Sequence, residues 1–290
     1  MKRLSKSAIV HAERGFTLVE AIMVLTITAI LGAAVAVFLR QPVDAYFDLN
    51  RRAALSDAAD TAARRVSRDL HLALPNSVRA VAGDSNCIEF LPTVTGGRYR
   101  EQGDSTGAGN LFTTAASITA LDFLGPLGLG TANSTPVPGD LLVINNLGIA
   151  GADAYAGDNT AVIASVTGNT VNLNPGKQFL LGSPTRRFQV IPNAEQAVSY
   201  VCTGVGIDAA GNGTGVLWRM NRYGLNPVAP AACPAIPANT PILAQNLSAC
   251  QFTYTPEVTV RTGLVSMRFG LTRNGETVNL FQDVHVSNVP

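Results

Sequence analysis

The stretch Arg14-Gly15-Phe16-Thr17-Leu18-Val19-Glu20, with its continuation to Arg40, decides the fold. From Phe16 to Leu39 run 24 residues whose only formal charge is Glu20. At 1.5 Å rise per residue, a helix of that length spans roughly 36 Å, enough to cross the hydrocarbon core of a bilayer. A secretory signal peptide would place a small-residue cleavage site after an apolar region of about 7–15 residues. This run is longer and ends in Arg40-Gln41-Pro42. The basic residues Lys2, Arg3, Lys6 and Arg14 favour a cytoplasmic N-terminus. A plain membrane anchor therefore accounts for the length and the charge asymmetry, but it leaves Glu20 unexplained.

A carboxylate inside an apolar span costs about 2.5–3.5 kcal/mol at a helix centre on insertion scales, so it calls for a partner. A cut between Gly15 and Phe16 would supply one. The new α-amino group would lie about one helical turn from Glu20, and such a cation, from its own or a neighbouring chain, could pair with the carboxylate. The residues 14–20 resemble the type IV prepilin signature. The resemblance implies that a prepilin peptidase cuts after Gly15, that Phe16 becomes the N-methylated mature terminus, and that Glu20 guides packing into a helical filament. An ordinary anchor with an incidental glutamate is the competing reading.

A second resemblance lies further on. Pro42-Val-Asp-Ala-Tyr-Phe-Asp48, Arg51-Arg52-Ala-Ala-Leu-Ser-Asp57 through Arg64-Arg65, and Arg68-Asp69-Leu-His-Leu-Ala-Leu-Pro75 through Arg79 are similar to the O-type minor pilin of mannose-sensitive haemagglutinin pilus systems. In plan, the rest is similar to J-type pseudopilins of type II secretion and to W-type minor pilins. These resemblances imply a priming subunit at or near a filament tip. They also imply a single-pass bacterial inner-membrane location with the C-terminal domain in the periplasm, and incorporation into the pilus. Its partners would be other pilins and minor pilins through the N-terminal helix, and the prepilin peptidase. A type II secretion pseudopilin is the alternative within this class. A singly anchored periplasmic binding protein or enzyme is the alternative from another.

The remaining residues set the architecture. Pro42 inside a helical run removes one backbone hydrogen bond and clashes with a preceding carbonyl, which predicts a kink rather than an end. Helical periodicity resumes from Asp44 to Leu74, with Leu49, Ala53, Ala63, Val66, Leu70 and Ala73 on one face. The other face pairs Asp48 with Arg52, Asp60 with Arg64, and Arg65 with Asp69, and Pro75-Asn76 stops the helix. Beyond it the chain turns rich in Gly, Thr, Asn and Pro with short β-favouring runs. These runs are 88–91, 118–123, 141–145, 161–166, 170–173, 188–191, 198–202, 216–220, 250–254, 264–272 and 277–286. Asn274-Gly275 predicts a type I′ hairpin, and 166–170 a second short turn. Loops are read at 96–110, 125–139, 148–160 and 225–240. The expected fold is α+β: one long kinked helix, membrane-spanning in its first half, packed on a large antiparallel β domain. Its divisions are a leader (1–15), an assembly half-helix (16–40), a distal amphipathic half (41–75) and a β-rich globular domain (76–290).

Four cysteines, Cys87, Cys202, Cys233 and Cys250, lie on the far side of the span, where an oxidising compartment favours two disulfides. Three pairings are open, and the preference goes to Cys202 with Cys233 and Cys87 with Cys250. A zinc site is disfavoured, since there is no Cys-x-x-Cys pair and His11, His71 and His285 are scattered. A net charge of +1 with 14% charged residues gives no basis for nucleic-acid binding. No nucleophile turn, phosphate loop, dinucleotide fingerprint or zinc-protease pair is present, so the chain is read as a structural protein without a cofactor rather than an enzyme. Three weaker features remain. Asp153, Asp158 and Asn159 are possible calcium ligands without EF-hand spacing, and 211–215 reads as a flexible connector. Tyr99, Tyr155 and Tyr223 read as loop aromatics available for contacts, with Trp218 half-buried.

Overall fold

The computed structural model describes residues 15–127, 135–259 and 261–290. The leader with Lys2, Arg3, Lys6 and Arg14, and the middle of the loop read at 125–139, lie outside the described residues. The chain divides into two units, with the boundary at Arg51/Arg52, inside the distal half of the expected helix.

Helix α1 runs from Leu18 to His71 and continues through Pro42. It begins where Thr17 accepts a hydrogen bond from the Glu20 backbone N–H at 3.3 Å, the donor that a helix start leaves unpaired. Within the apolar run, Thr26 and Thr28 donate their hydroxyls back to the carbonyls of Met23 (2.9 Å) and Val24 (2.7 Å), which hides two polar groups along the helix surface.

In the second unit, α1 buries Leu55, Ala59, Ala62, Ala63, Val66 and Leu70, spaced by three and four residues as one helix face requires. Small alanines let the helix sit close to the sheet beneath. Leu49 and Ala53, expected on that face, are exposed. The expected Asp48–Arg52 pair is also replaced: Asp48 takes Arg51 at 2.9 Å, and Arg52 reaches Glu276 at 2.7 Å. Asp60–Arg64 and Arg65–Asp69 form as expected. The helix ends three residues before Leu74, because Leu72 and Leu74 exchange backbone hydrogen bonds with Thr93 and Leu91 instead of closing another helical turn.

A seven-stranded antiparallel sheet carries this helix. Its strands are β1 (Arg79–Val81), β2 (Asp84–Phe90), β9 (Val198–Thr203), β10 (Gly215–Met220), β11 (Ile242–Thr259), β12 (Thr262–Arg273) and β13 (Glu276–Ser287), in the order β1-β2-β9-β10-β11-β12-β13. Between β2 and β9, which are neighbours in the sheet, the chain leaves to build a closed barrel. The barrel strands are β3 (Thr95–Tyr99), β4 (Ile118–Leu124), β5 (Leu141–Ile144), β6 (Thr160–Thr167), β7 (Thr170–Lys177) and β8 (Arg187–Ile191), in the order β3-β4-β7-β6-β5-β8. The barrel has its own core, with Tyr99, Phe112, Leu121, Phe179 and Phe188 among the buried residues. Leu74, Leu91, Val143, Tyr155 and Ile191 form a separate cluster between barrel and sheet. Asn274 (φ 50°) and Gly275 (φ 76°) turn β12 into β13 with positive φ at both positions, as a type I′ hairpin demands.

The disulfides are Cys87–Cys233 and Cys202–Cys250, which corrects both expected pairs. Strand register is the reason. Cys87 lies opposite Val201, so the next residue, Cys202, points to the other face of the sheet. Cys202 and Cys250 meet in the core under α1. Cys87 packs on the far face with Val81, Val201 and Met220, where the β10–β11 loop lays Cys233 and Ile236 over it. The connector at 211–215 is tied down rather than flexible: Gly213 N–H bonds Thr272 O at 2.8 Å, and Gly211 O accepts Gly275 N–H at 2.8 Å. A Cβ at Gly213 would fall 2.1 Å from Asn246 O, so only glycine fits there.

Candidate processing and assembly site

Three described residues precede the helix in non-helical backbone: Gly15, Phe16 and Thr17. A Cβ built at Gly15 meets nothing within 4 Å, and Phe16 is 75% exposed. The Gly15–Phe16 peptide bond thus lies in open, irregular chain just ahead of the first helical turn, the kind of segment a peptidase can take into a cleft. Thr17 is the N-cap and Glu20 stands three residues on, so the pair has the spacing of a capping box. The Thr17 half of that box is formed, and it starts the helix two residues after Gly15. Glu20 itself is exposed, and a carboxylate in the first turn of a helix interacts favourably with the positive end of its dipole.

On both sides of Glu20 in sequence the helix presents apolar side chains all round. Leu18, Val19, Ile22, Leu25, Ile30 and Phe38 each remain more than half exposed. An all-round apolar helix requires either lipid or neighbouring helices around it. Among the described residues, this is the one helix long and apolar enough to cross a membrane.

Residues 10–36 match the family model of the prokaryotic N-terminal methylation motif. The matched span covers the peptide bond after Gly15, the exposed Phe16, the Thr17 cap and Glu20. It supports a subunit of type IV pilin or pseudopilin kind, processed by a prepilin peptidase, with the apolar helix as a membrane anchor and assembly element. Searches of curated proteins and of solved structures returned no match.

The other singled-out residues fall elsewhere. Tyr99 and Tyr155 are core residues rather than loop contacts: Tyr99 is buried on β3 and accepts Ser183 N–H at 2.8 Å, and Tyr155 donates to Ser77 O at 3.0 Å. Tyr223 is partly exposed, and its hydroxyl meets Glu89 Oε2 at 3.0 Å. Trp218 is half-buried and donates to Thr203 Oγ1 at 2.9 Å. Asp153 and Asp158 accept the Tyr155 and Gly151 backbone N–H groups at 2.9 and 2.7 Å, which shapes their loop. Asp283 and His285 stand exposed on the outer side of β13.

Two buried polar networks escaped the sequence, because each is built from single residues far apart in the chain. In one, Asp69 receives Arg219 Nε at 2.7 Å and the Tyr200 hydroxyl at 2.9 Å, while Arg219 also donates to Glu195 at 2.8 Å. Burial raises the pKa of Tyr200, and the nearby Asp69 charge adds to that rise. In the other, Glu89 is buried beside Arg79 (3.6 Å) and Tyr223, while Arg79 lies over the Tyr155 ring at 3.2 Å. Burial raises the Glu89 pKa above its ordinary value, against the lowering effect of Tyr223 and Arg79.

Proposed function

We propose that this protein is a structural subunit of a type IV pilus, a minor pilin of the mannose-sensitive haemagglutinin kind that acts at or near the filament tip, and not an enzyme. The prepilin peptidase releases Phe16 by cutting after Gly15, and Phe16 is then N-methylated. The apolar helix holds the subunit in the inner membrane until assembly, when neighbouring helices replace lipid around it and keep it out of water. Glu20 pairs with a terminal amino group in the filament, and the sheet and barrel lie on the periplasmic side.

One observation carries this reading: the methylation motif at residues 10–36 leads directly into an exposed, all-round apolar helix interrupted by a single carboxylate. The direct test is the mass of the protein extracted from membranes of cells with an active prepilin peptidase. The expected species lacks residues 1–15 and carries one methyl group on Phe16, whereas an intact leader overturns the proposal. Co-purification then separates the two members of the class. Capture with pilus subunits fits the minor pilin, and capture with secretion-system components fits a pseudopilin instead.

A further inference from the structure

The barrel bears a concentration of positive charge that the assembly site does not use. On its outer surface Arg98 of β3 lies directly opposite Arg187 of β8 in the antiparallel register. Cross-strand neighbours have Cβ atoms about 4.5–5.5 Å apart, and like charges so placed destabilise the pair. Arg186 and Arg100 flank them. Arg186 is held by Glu101 at 2.7 Å and Arg100 by Asp122 at 3.7 Å. Among the described residues, Arg98 and Arg187 have no carboxylate partner. Both are exposed. In a chain of net charge +1, two facing guanidinium groups without a counter-charge are an arrangement that an oxyanion would relieve.

The surroundings form a groove. A cavity of about 530 Å³ is lined by Gly96, Gly97, Arg98, Arg187 and Gln189 among others, and one of about 310 Å³ beside it shares Arg98 and Leu124. Gly96 and Gly97 both line it, Gly96 on the face of Arg98 and Gly97 with its missing side chain turned inward to the barrel core. They cannot be replaced freely, since a Cβ at Gly96 would stand 2.7 Å from Phe188 O and one at Gly97 2.8 Å from the Phe188 ring. A second observation points to a ligand independently of charge. Gln189, opposite Gly96 in the register, has a buried Oε1 with no hydrogen-bond donor, and such groups ordinarily find partners. The groove therefore offers paired guanidinium donors, with Gln189 in its lining, whose buried oxygen gains a donor only when the amide turns outward to a ligand.

We propose that this groove binds an acidic carbohydrate, with a sugar carboxylate bridging Arg98 and Arg187 and a sugar hydroxyl donating to Gln189. Guanidinium groups bind carboxylates through two parallel hydrogen bonds, and Gly96, bare on the face of Arg98, lets a sugar ring approach the backbone. Two other polyanions fit less well. Single-stranded nucleic acid relies on exposed aromatic rings for base stacking, and the Phe188 and Tyr99 rings are buried. An extended acidic peptide would pair with a free strand edge, but β3 and β8 lie within a closed barrel.

The test is calorimetric titration of the full chain in detergent micelles with trigalacturonate, the neutral trisaccharide maltotriose, a pentaglutamate peptide and sodium sulfate. Trigalacturonate binds, binding weakens as salt is added, and R98Q/R187Q lowers the affinity by more than about tenfold, as loss of charge-assisted hydrogen bonds requires. Q189L weakens trigalacturonate without changing sulfate binding. R98K/R187K keeps the charge and guards against a folding defect, and it retains only part of the affinity because an ammonium cannot make the two-point contact. The proposal is overturned if maltotriose, pentaglutamate or sulfate binds as tightly as trigalacturonate, or if R98Q/R187Q leaves the affinity unchanged.

Discussion

Arg219 on β10 donates its Nε–H to Asp69 Oδ2 at 2.7 Å, and this bond ties the last turn of α1 to the middle of the sheet. Asp69 is 8% exposed and also receives the Tyr200 hydroxyl at 2.9 Å. Removing one partner of a buried ion pair leaves the other charge uncompensated, at a cost of about 3–5 kcal/mol. Arg219 keeps Glu195 at 2.8 Å, so the lower end of that range applies. Asp69→Ala should therefore destabilise the second unit by about 3 kcal/mol, measured by denaturant unfolding of the full chain in detergent. An unchanged midpoint would show that the bond contributes nothing.

Glu89 gives stability a pH dependence of definite sign. Its pKa in the folded protein lies above the ordinary carboxylate value of 4.5, chiefly because burial disfavours the charge. The folded state therefore holds this proton more tightly than the unfolded chain does. The contribution to stability is complete below about pH 4.5 and is lost as pH rises through the folded-state pKa. Comparing melting temperatures across that window, wild type should lose more stability with rising pH than Glu89→Gln. Parallel profiles for the two proteins would contradict this.

The two disulfides should fail differently. By the chain-entropy relation, loops of 48 and 146 residues each remove about 4–5 kcal/mol from the unfolded state, so both double-serine variants melt earlier. Cys233 lies in the β10–β11 loop, packed on the far face of the sheet away from the helix. C87S/C233S should therefore open residues 221–241 to protease under native conditions. C202S/C250S should leave that loop protected, because Cys202 and Cys250 lie in the core under α1. Equal cleavage rates would refute the distinction.

Much of the fold was legible because local rules decide it. The apolar run fixes the first half of α1, and Asn274-Gly275 fixes the β12–β13 hairpin. Short β-favouring runs located most strands, including five of the six in the barrel. The barrel as a separate body was not legible, since closure depends on β3 pairing with β8 and the two lie far apart in sequence. β3 looks like loop in the sequence because Gly96 and Gly97 oppose strand propensity. Their reason is contact with Phe188, which only tertiary structure reveals. Tyr99 and Tyr155 were misplaced on the surface for the same cause, as their burial comes from strands and loops distant in the chain. The cysteine pairing turned on which face of β2 and β9 each side chain takes, and one residue of register reverses that. By contrast, the methylation motif around Gly15, Phe16 and Glu20 was legible because its residues lie within two helical turns of one another, whereas the Thr17 cap shows only in the hydrogen bond it accepts.

The last prediction separates the roles of Thr17 and Glu20. Thr17→Ala removes the acceptor for the Glu20 N–H. An N-cap replacement costs about 1 kcal/mol, felt as fraying of the first turn, so filaments should still form but incorporate this subunit less well. Glu20→Ala leaves the cap intact and removes the only charge between Phe16 and Leu39. Under the proposed function this removes the carboxylate that would pair with a terminal amino group during assembly, so incorporation should fail while leader cleavage proceeds. Glu20→Gln distinguishes charge from hydrogen bonding, because it keeps a polar side chain of the same length and should fail as Ala does. Neither substitution touches the sheet or the barrel, so the second unit should unfold at the wild-type midpoint. The measurements are the amount of subunit in sheared filaments, the mass of the processed chain and a denaturation curve. Wild-type incorporation of the Glu20→Ala chain would remove the assembly role assigned to that carboxylate.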